Sequence, residues 1–130
     1  MNSKTISLRT MSLKSLILAS LISIAVPAAA HDAENGPHGG RVVEAGSYHI
    51  ELVAKDSTVD VFLTNADDKP VSAAGFKGTA ILVVDGKAQR IVLQASGAKL
   101  TGKADVALPA QPKGAVQLTA PDGKTASAKF

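Results

Sequence analysis

Cysteine and tryptophan are both absent from the 130 residues. No disulfide can brace the chain, and no thiolate can serve as nucleophile, redox centre or metal ligand. Methionine occurs only at Met1 and Met11, so everything beyond residue 30 is free of sulfur. That removes thioether ligation, which suits Cu(I), and every step of the sulfur oxidation ladder. The aromatic residues are Tyr48, Phe62, Phe76 and Phe130 alone. A carbohydrate-binding face built on exposed rings is therefore poorly supported, and a core must be made of Val, Leu, Ile and Ala.

A hydrophobic run long enough to span a bilayer is missing too. The apolar stretch Leu16 to Val26 has 11 residues, against about 20 for a membrane helix. It follows Lys4, Arg9 and Lys14 and precedes Pro27 and Ala28-Ala29-Ala30. A basic start, a short apolar middle and a small-residue end are the three parts of a secretory signal peptide, here a helical one cleaved after Ala30. No Arg-Arg pair marks a twin-arginine route, and no cysteine offers a lipid attachment point. The expectation is an exported, periplasmic protein with no stable membrane anchor after cleavage.

Surplus charge of one sign is the next absence. The formal net charge of +3 resides entirely in Lys4, Arg9 and Lys14; beyond residue 30, eleven Lys and Arg face eleven Asp and Glu. A balanced, mixed-sign chain with few aromatics has neither the basic face nor the stacking rings of a nucleic-acid binder. It also lacks a polybasic patch for anionic lipid.

What is present divides into three segments: the signal peptide at 1–30, a Gly-rich flexible arm at 31–40, and a domain at 41–130. In the domain, short alternating runs predict strands over 47–54, 58–64, 79–84, 88–95, 104–108, 114–120 and 125–130. Asp85-Gly86 carries the signature of a type I′ hairpin turn, and Pro121-Asp122-Gly123-Lys124 that of a second turn. Asn65 to Pro70 is a turn cluster. About seven strands at roughly 8–12-residue spacing point to an all-β, antiparallel β-sandwich, with a barrel as the structural alternative. No window shows a helical period.

Candidate chemistry centres on His31, His38 and His49. Cleavage after Ala30 makes His31 the N-terminal residue, and its α-amine and Nδ1 can then close a six-membered chelate, a nitrogen-rich donor set suited to Cu(II) or Ni(II). His38 stands in Pro37-His38-Gly39-Gly40, a segment able to fold a second imidazole back. His49 lies on the first clear strand with Glu51 two residues on, so both share the polar face opposite Tyr48, Ile50 and Leu52. The candidate metal ligands are thus His31, His38, His49 and Glu51, for Cu(II) or for Ni(II) or Zn(II). The spacing matches no established zinc signature, and all three histidines are equally read as surface residues. Catalysis is not expected: no G-x-S-x-G elbow, H-E-x-x-H motif or phosphate loop occurs.

Three stretches carry a resemblance: Pro37-His38-Gly39-Gly40-Arg41-Val42-Val43, Tyr48-His49-Ile50-Glu51-Leu52-Val53, and Val61-Phe62-Leu63-Thr64 with Asp68-Lys69-Pro70-Val71. Together they resemble small exported proteins of Gram-negative bacteria, and are similar to a short periplasmic domain of heavy-metal efflux adaptor subunits. The resemblance implies an immunoglobulin-like β-sandwich and periplasmic metal handling. It also resembles periplasmic copper carriers that begin with a mature histidine, matched here by His31 alone, and without their methionines. Two functions follow as expectations. One is a small periplasmic metal-binding protein, acting in copper-like handling or resistance and partnered by metal-efflux components. The other is a non-metal module that docks on another envelope protein through an edge strand.

Overall fold

Alternation works out at atomic level in the central hairpin. In β3 (Tyr48–Lys55) Ile50 and Leu52 are buried, and in β4 (Thr58–Thr64) so are Val59, Val61 and Leu63. These residues point to one side of the sheet because side chains alternate with a period of two. The structure, a computed structural model, describes residues 34–130. The expected signal peptide and His31 lie outside the described residues.

Among the described residues the fold is all-β, with no helix. Before β3 come β1 (Glu34–Asn35) and β2 (Arg41–Ala45). After β4 come β5 (Pro70–Val71), β6 (Lys77–Val84), β7 (Lys87–Ser96), β8 (Lys99–Lys103), β9 (Lys113–Thr119) and β10 (Thr125–Lys129). All pairings are antiparallel, in the spatial order β1-β2-β3-β4-β8-β7-β6-β9-β10, with the short β5 added beside β4. β7 changes partner along its length: Lys87 to Leu93 pair with β6, and Gln94 to Ser96 pair with β8. The sheet curls until β10 lies against β2, where the Arg41 guanidinium is 6.0 Å from the Phe130 ring centre. The outcome is a nearly closed, barrel-like antiparallel sheet.

Within the segment read as an arm, Glu34 and Asn35 pair with Val42 and Arg41, and the five residues between form a hairpin loop. Two expectations are corrected. Among the described residues there are ten strands, not about seven. The strand placed at 104–108 is instead β8 at Lys99–Lys103. The N–H groups of Ala104 and Leu108 donate to Ser57 and Asp56 carbonyls, both at 2.7 Å, so that segment caps the β3–β4 turn without joining a ladder. The Asp85-Gly86 turn is as expected, both residues having positive φ (51° and 75°), which a type I′ turn requires.

The core fills the inside of the curl with Ile50, Leu52, Val59, Val61, Leu63 and Leu100 from one side, and Leu82, Ile91, Leu93, Val116 and Leu118 from the other. Phe76 is the one buried aromatic, its ring set edge-on to Tyr48 at 5.4 Å. Each fully buried Leu or Ile contributes about 1.5–3 kcal/mol relative to exposure, which is how a domain with no disulfide holds together.

Candidate functional site

The outer face of β2-β3-β4-β8 carries the polar chemistry. Register sets it out in rungs. One runs Val42–Glu51–Phe62–Lys99; the next, two residues along, runs Glu44–His49–Thr64. His49 and Glu51 therefore share a face, as the alternation in Tyr48–Lys55 requires.

The hairpin loop Gly36 to Gly40 folds back over this face. The Gly39 N–H donates to the Gly36 carbonyl at 3.0 Å, closing a four-residue turn with Pro37 in second place, and the Gly36 N–H donates to the Gly40 carbonyl at 2.8 Å. Proline at the second position and glycine at the fourth suit a tight turn. Glycine is needed at both ends for close approach. A Cβ on Gly36 would fall within 2.7 Å of Glu51 Cγ, and one on Gly40 within 2.8 Å of the Leu52 carbonyl carbon.

Beneath the loop lies Glu51, only 4% exposed although it sits on the polar face. Its Oε1 accepts from the His38 backbone N–H at 2.8 Å and from the Gly40 N–H at 3.0 Å; its Oε2 lies 2.7 Å from His38 Nδ1. The His38 ring is flat on Phe62, with ring centres 3.6 Å apart and planes 4° from parallel. Lys99 Nζ is 6.0 Å from the Phe62 ring centre and 2.9 Å from Asp60 Oδ2, while Asp60 Oδ1 accepts from the Thr101 hydroxyl at 2.7 Å.

His49 is held in a similar but more open way. Its Nδ1 lies 2.8 Å from Asp68 Oδ1 and its Nε2 3.6 Å from Glu44 Oε1. Asp68 belongs to the turn Asn65–Lys69. There the Asn65 side-chain oxygen accepts from the Asp67 and Lys69 N–H groups, both at 3.0 Å, and Asp68 takes φ = 58°. The two carboxylates differ in strength of hold. Asp68 is 81% exposed, and such a pair is worth about 0–1 kcal/mol. Hydrogen bonds to a buried charged group such as Glu51 are each worth about 1.5–3 kcal/mol.

His38, His49, Glu51, Phe62, Glu44 and Asp68 all line one groove of about 1090 Å³. Of the candidate ligands, the structure thus gathers His38, His49 and Glu51 on one face, and His31 lies outside the described residues. Among the described residues, no three His, Asp or Glu side chains are clustered as a ready metal site. Glu51 is not a free ligand, because both its oxygens are engaged by the loop. Sequence reasoning missed Phe62, Asp68 and Glu44. Phe62 was detectable as the ring out of phase with Val61 and Leu63. Asp68 was seen only as part of a turn cluster, since nothing in its spacing links it to His49, nineteen residues away.

The chain matches no protein-family model, no curated protein and no solved structure.

Proposed function

We propose that this is a small periplasmic binding protein for a divalent metal ion of the Cu(II), Ni(II) or Zn(II) kind, acting with metal-efflux components of the envelope. One observation carries the reading. Both imidazoles on the groove have their Nδ1 on a carboxylate, His38 on Glu51 and His49 on Asp68. Metal-binding histidines are ordinarily held in this way, the second nitrogen being fixed so that the first is offered to the ion. In this reading the Nε2 atoms of His38 and His49 are donors, and Glu44 stands ready beside His49. His31 and its α-amine, freed by cleavage after Ala30, complete the set. Two residues, Asp32 and Ala33, stand between His31 and β1, so three peptide steps could span at most about 10 Å of extended chain. The resemblance to the periplasmic domain of heavy-metal efflux adaptors supports the same function, and with it an immunoglobulin-like sandwich as the parent of the curled sheet. Binding, not catalysis, is the activity proposed.

Titration of Cu(II) and Zn(II) into the processed, tag-free protein tests this. Tight Cu(II) binding should disappear on His31→Ala or when one residue is left ahead of His31. His38→Ala and His49→Ala should each weaken binding by roughly tenfold, about 1.4 kcal/mol. Metal and protons compete for nitrogen ligands, so affinity should fall on acidification. Equal affinity in native and extended proteins rejects His31.

The second reading, a non-metal envelope interaction module, has its own support. Val83 and Val92 are 46% and 63% exposed on the outer face of β6 and β7, four positions apart along the ladder, and exposed large apolar side chains on one face are a feature of docking surfaces. Failure of every variant and of the native protein to bind metal, with an envelope partner still retained in chelator, selects it.

A further inference from the structure

We infer that Glu51 is a positioning residue and not a ligand: it locks His38 as the Nδ1–H tautomer, so that Nε2 is the nitrogen presented to a divalent cation. The functional consequence rests on the metal-binding reading; the tautomer does not.

The argument is one of hydrogen-bond inventory. An ionised carboxylate can only accept. Oε1 is taken by two backbone donors, the His38 and Gly40 N–H groups, and these fix which way the carboxylate faces. Oε2 is left for a single partner, His38 Nδ1 at 2.7 Å. For that contact to be a hydrogen bond, the proton must lie on Nδ1, and Nε2 in the neutral ring must then carry a lone pair. Ring rotation by a half-turn would exchange Nδ1 with Cδ2 and Nε2 with Cε1, keeping the ring flat on Phe62 at 3.6 Å but setting a carbon against Oε2. A half-turn about the ring axis would move Nδ1 off Oε2 while the His38 N–H stays clamped. The His38 side chain remains 47% exposed, so the offered nitrogen is accessible. The loop is already closed by its own backbone hydrogen bonds, so the donor is set before any ion arrives.

Glu51→Gln makes the inference sharp, because it is nearly isosteric and reverses the polarity at one atom. The amide oxygen keeps the two backbone donors. The amide NH2 then faces Nδ1, which can satisfy it only as an acceptor. The proton moves to Nε2, and the lone pair offered to the groove is lost.

Long-range 1H–15N NMR of the imidazoles reads this directly, in the processed protein without metal, at a pH where the ring is neutral. The native protein should show His38 with a protonated Nδ1 and a bare Nε2, and Glu51→Gln the opposite pattern. Zn(II) affinity should fall about 10–100-fold in the variant, the usual effect of losing such a partner. His38→Ala should lose as much, and adding Glu51→Gln to it should cost little more. A native His38 found with its proton on Nε2 overturns the inference, whatever the variant's stability. The native and variant patterns as described, with no Zn(II) binding by either, uphold the role of Glu51 and overturn the metal-binding reading alone.

Discussion

Gly114→Ala should lower the melting temperature by on the order of 20 °C. Gly114, the second residue of β9, has φ = 151°, and an added Cβ would run into the Ile81 carbonyl oxygen and lie 2.9 Å from Leu82 Cα and 3.0 Å from the Ile81 carbonyl carbon. All three are backbone atoms of β6, so no side chain can swing aside. Retreat the other way is closed as well, since Gly114 exchanges two hydrogen bonds with Phe130, at 3.2 and 2.9 Å. The methyl must therefore force a strained backbone, about 1–3 kcal/mol, and break both bonds at about 1 kcal/mol each. A loss of about 3–5 kcal/mol is a large part of a typical stability of about 5–15 kcal/mol. For a domain of this size each kcal/mol shifts Tm by about 4–8 °C. Gly123→Ala is the control. Its φ is 83°, but nothing lies within 4 Å of the added methyl, so only the left-handed backbone cost of about 1–2 kcal/mol applies. Similar melting of the two variants would show that the β6–β9 approach is not the cause.

Gly40→Ala should abolish the His38 arrangement while leaving most of the sheet folded. Its Cβ would collide with the Leu52 carbonyl oxygen and sit 2.8 Å from Val53 Cγ2. β2 and the loop must lift away from β3 at this point, and the Gly40 N–H then leaves Glu51 Oε1. Glu51 is left buried with part of its pairing gone, a cost of about 1–3 kcal/mol or more for a charged group. Water entering beneath the lifted loop relieves it. The damage is local because the core residues of β3 and β4 face the other way. Amide exchange should rise sharply at Gly36, Gly39 and Gly40, with protection in β6, β7 and β9 nearly unchanged, and metal affinity should fall to that of His38→Ala. A variant that keeps the native protection at Gly36 and Gly40 would refute the close-approach argument.

Much of the fold was legible in the sequence for a simple reason: β3, β4 and β7 alternate apolar residues with a period of two, β6 is a short apolar run, and turn residues bound them. β8 was not. Lys-Leu-Thr-Gly-Lys has a single buried apolar residue, Leu100. Its membership of the sheet depends on Gly102, where a Cβ would lie 2.7 Å from Ile91 Cγ2 and the Val92 carbonyl. A thin strand that fits because it is thin leaves no periodic signal. β1 is shorter than any period, and only its pairing with Val42 and Arg41 makes it a strand. The site was half legible. Alternation placed His49 and Glu51 on one face, but it also marked Glu51 as solvent-facing. Its burial comes from a loop whose glycines signalled a turn without indicating what the turn would cover.

The ladder between β4 and β8 joins Thr58–Phe62 to Lys99–Lys103, and β6 to β9 joins Lys77–Val83 to Lys113–Thr119. Neither pair is a local hairpin, so each must close a chain of several tens of residues before any of its hydrogen bonds form, at an entropic cost that grows with the logarithm of that length. Topologies dominated by such distant pairings cross their folding barrier in milliseconds to seconds, not microseconds. Until β4 finds β8, the edge of β4 is bare, and the chain during this time is most exposed to sticking to another copy of itself.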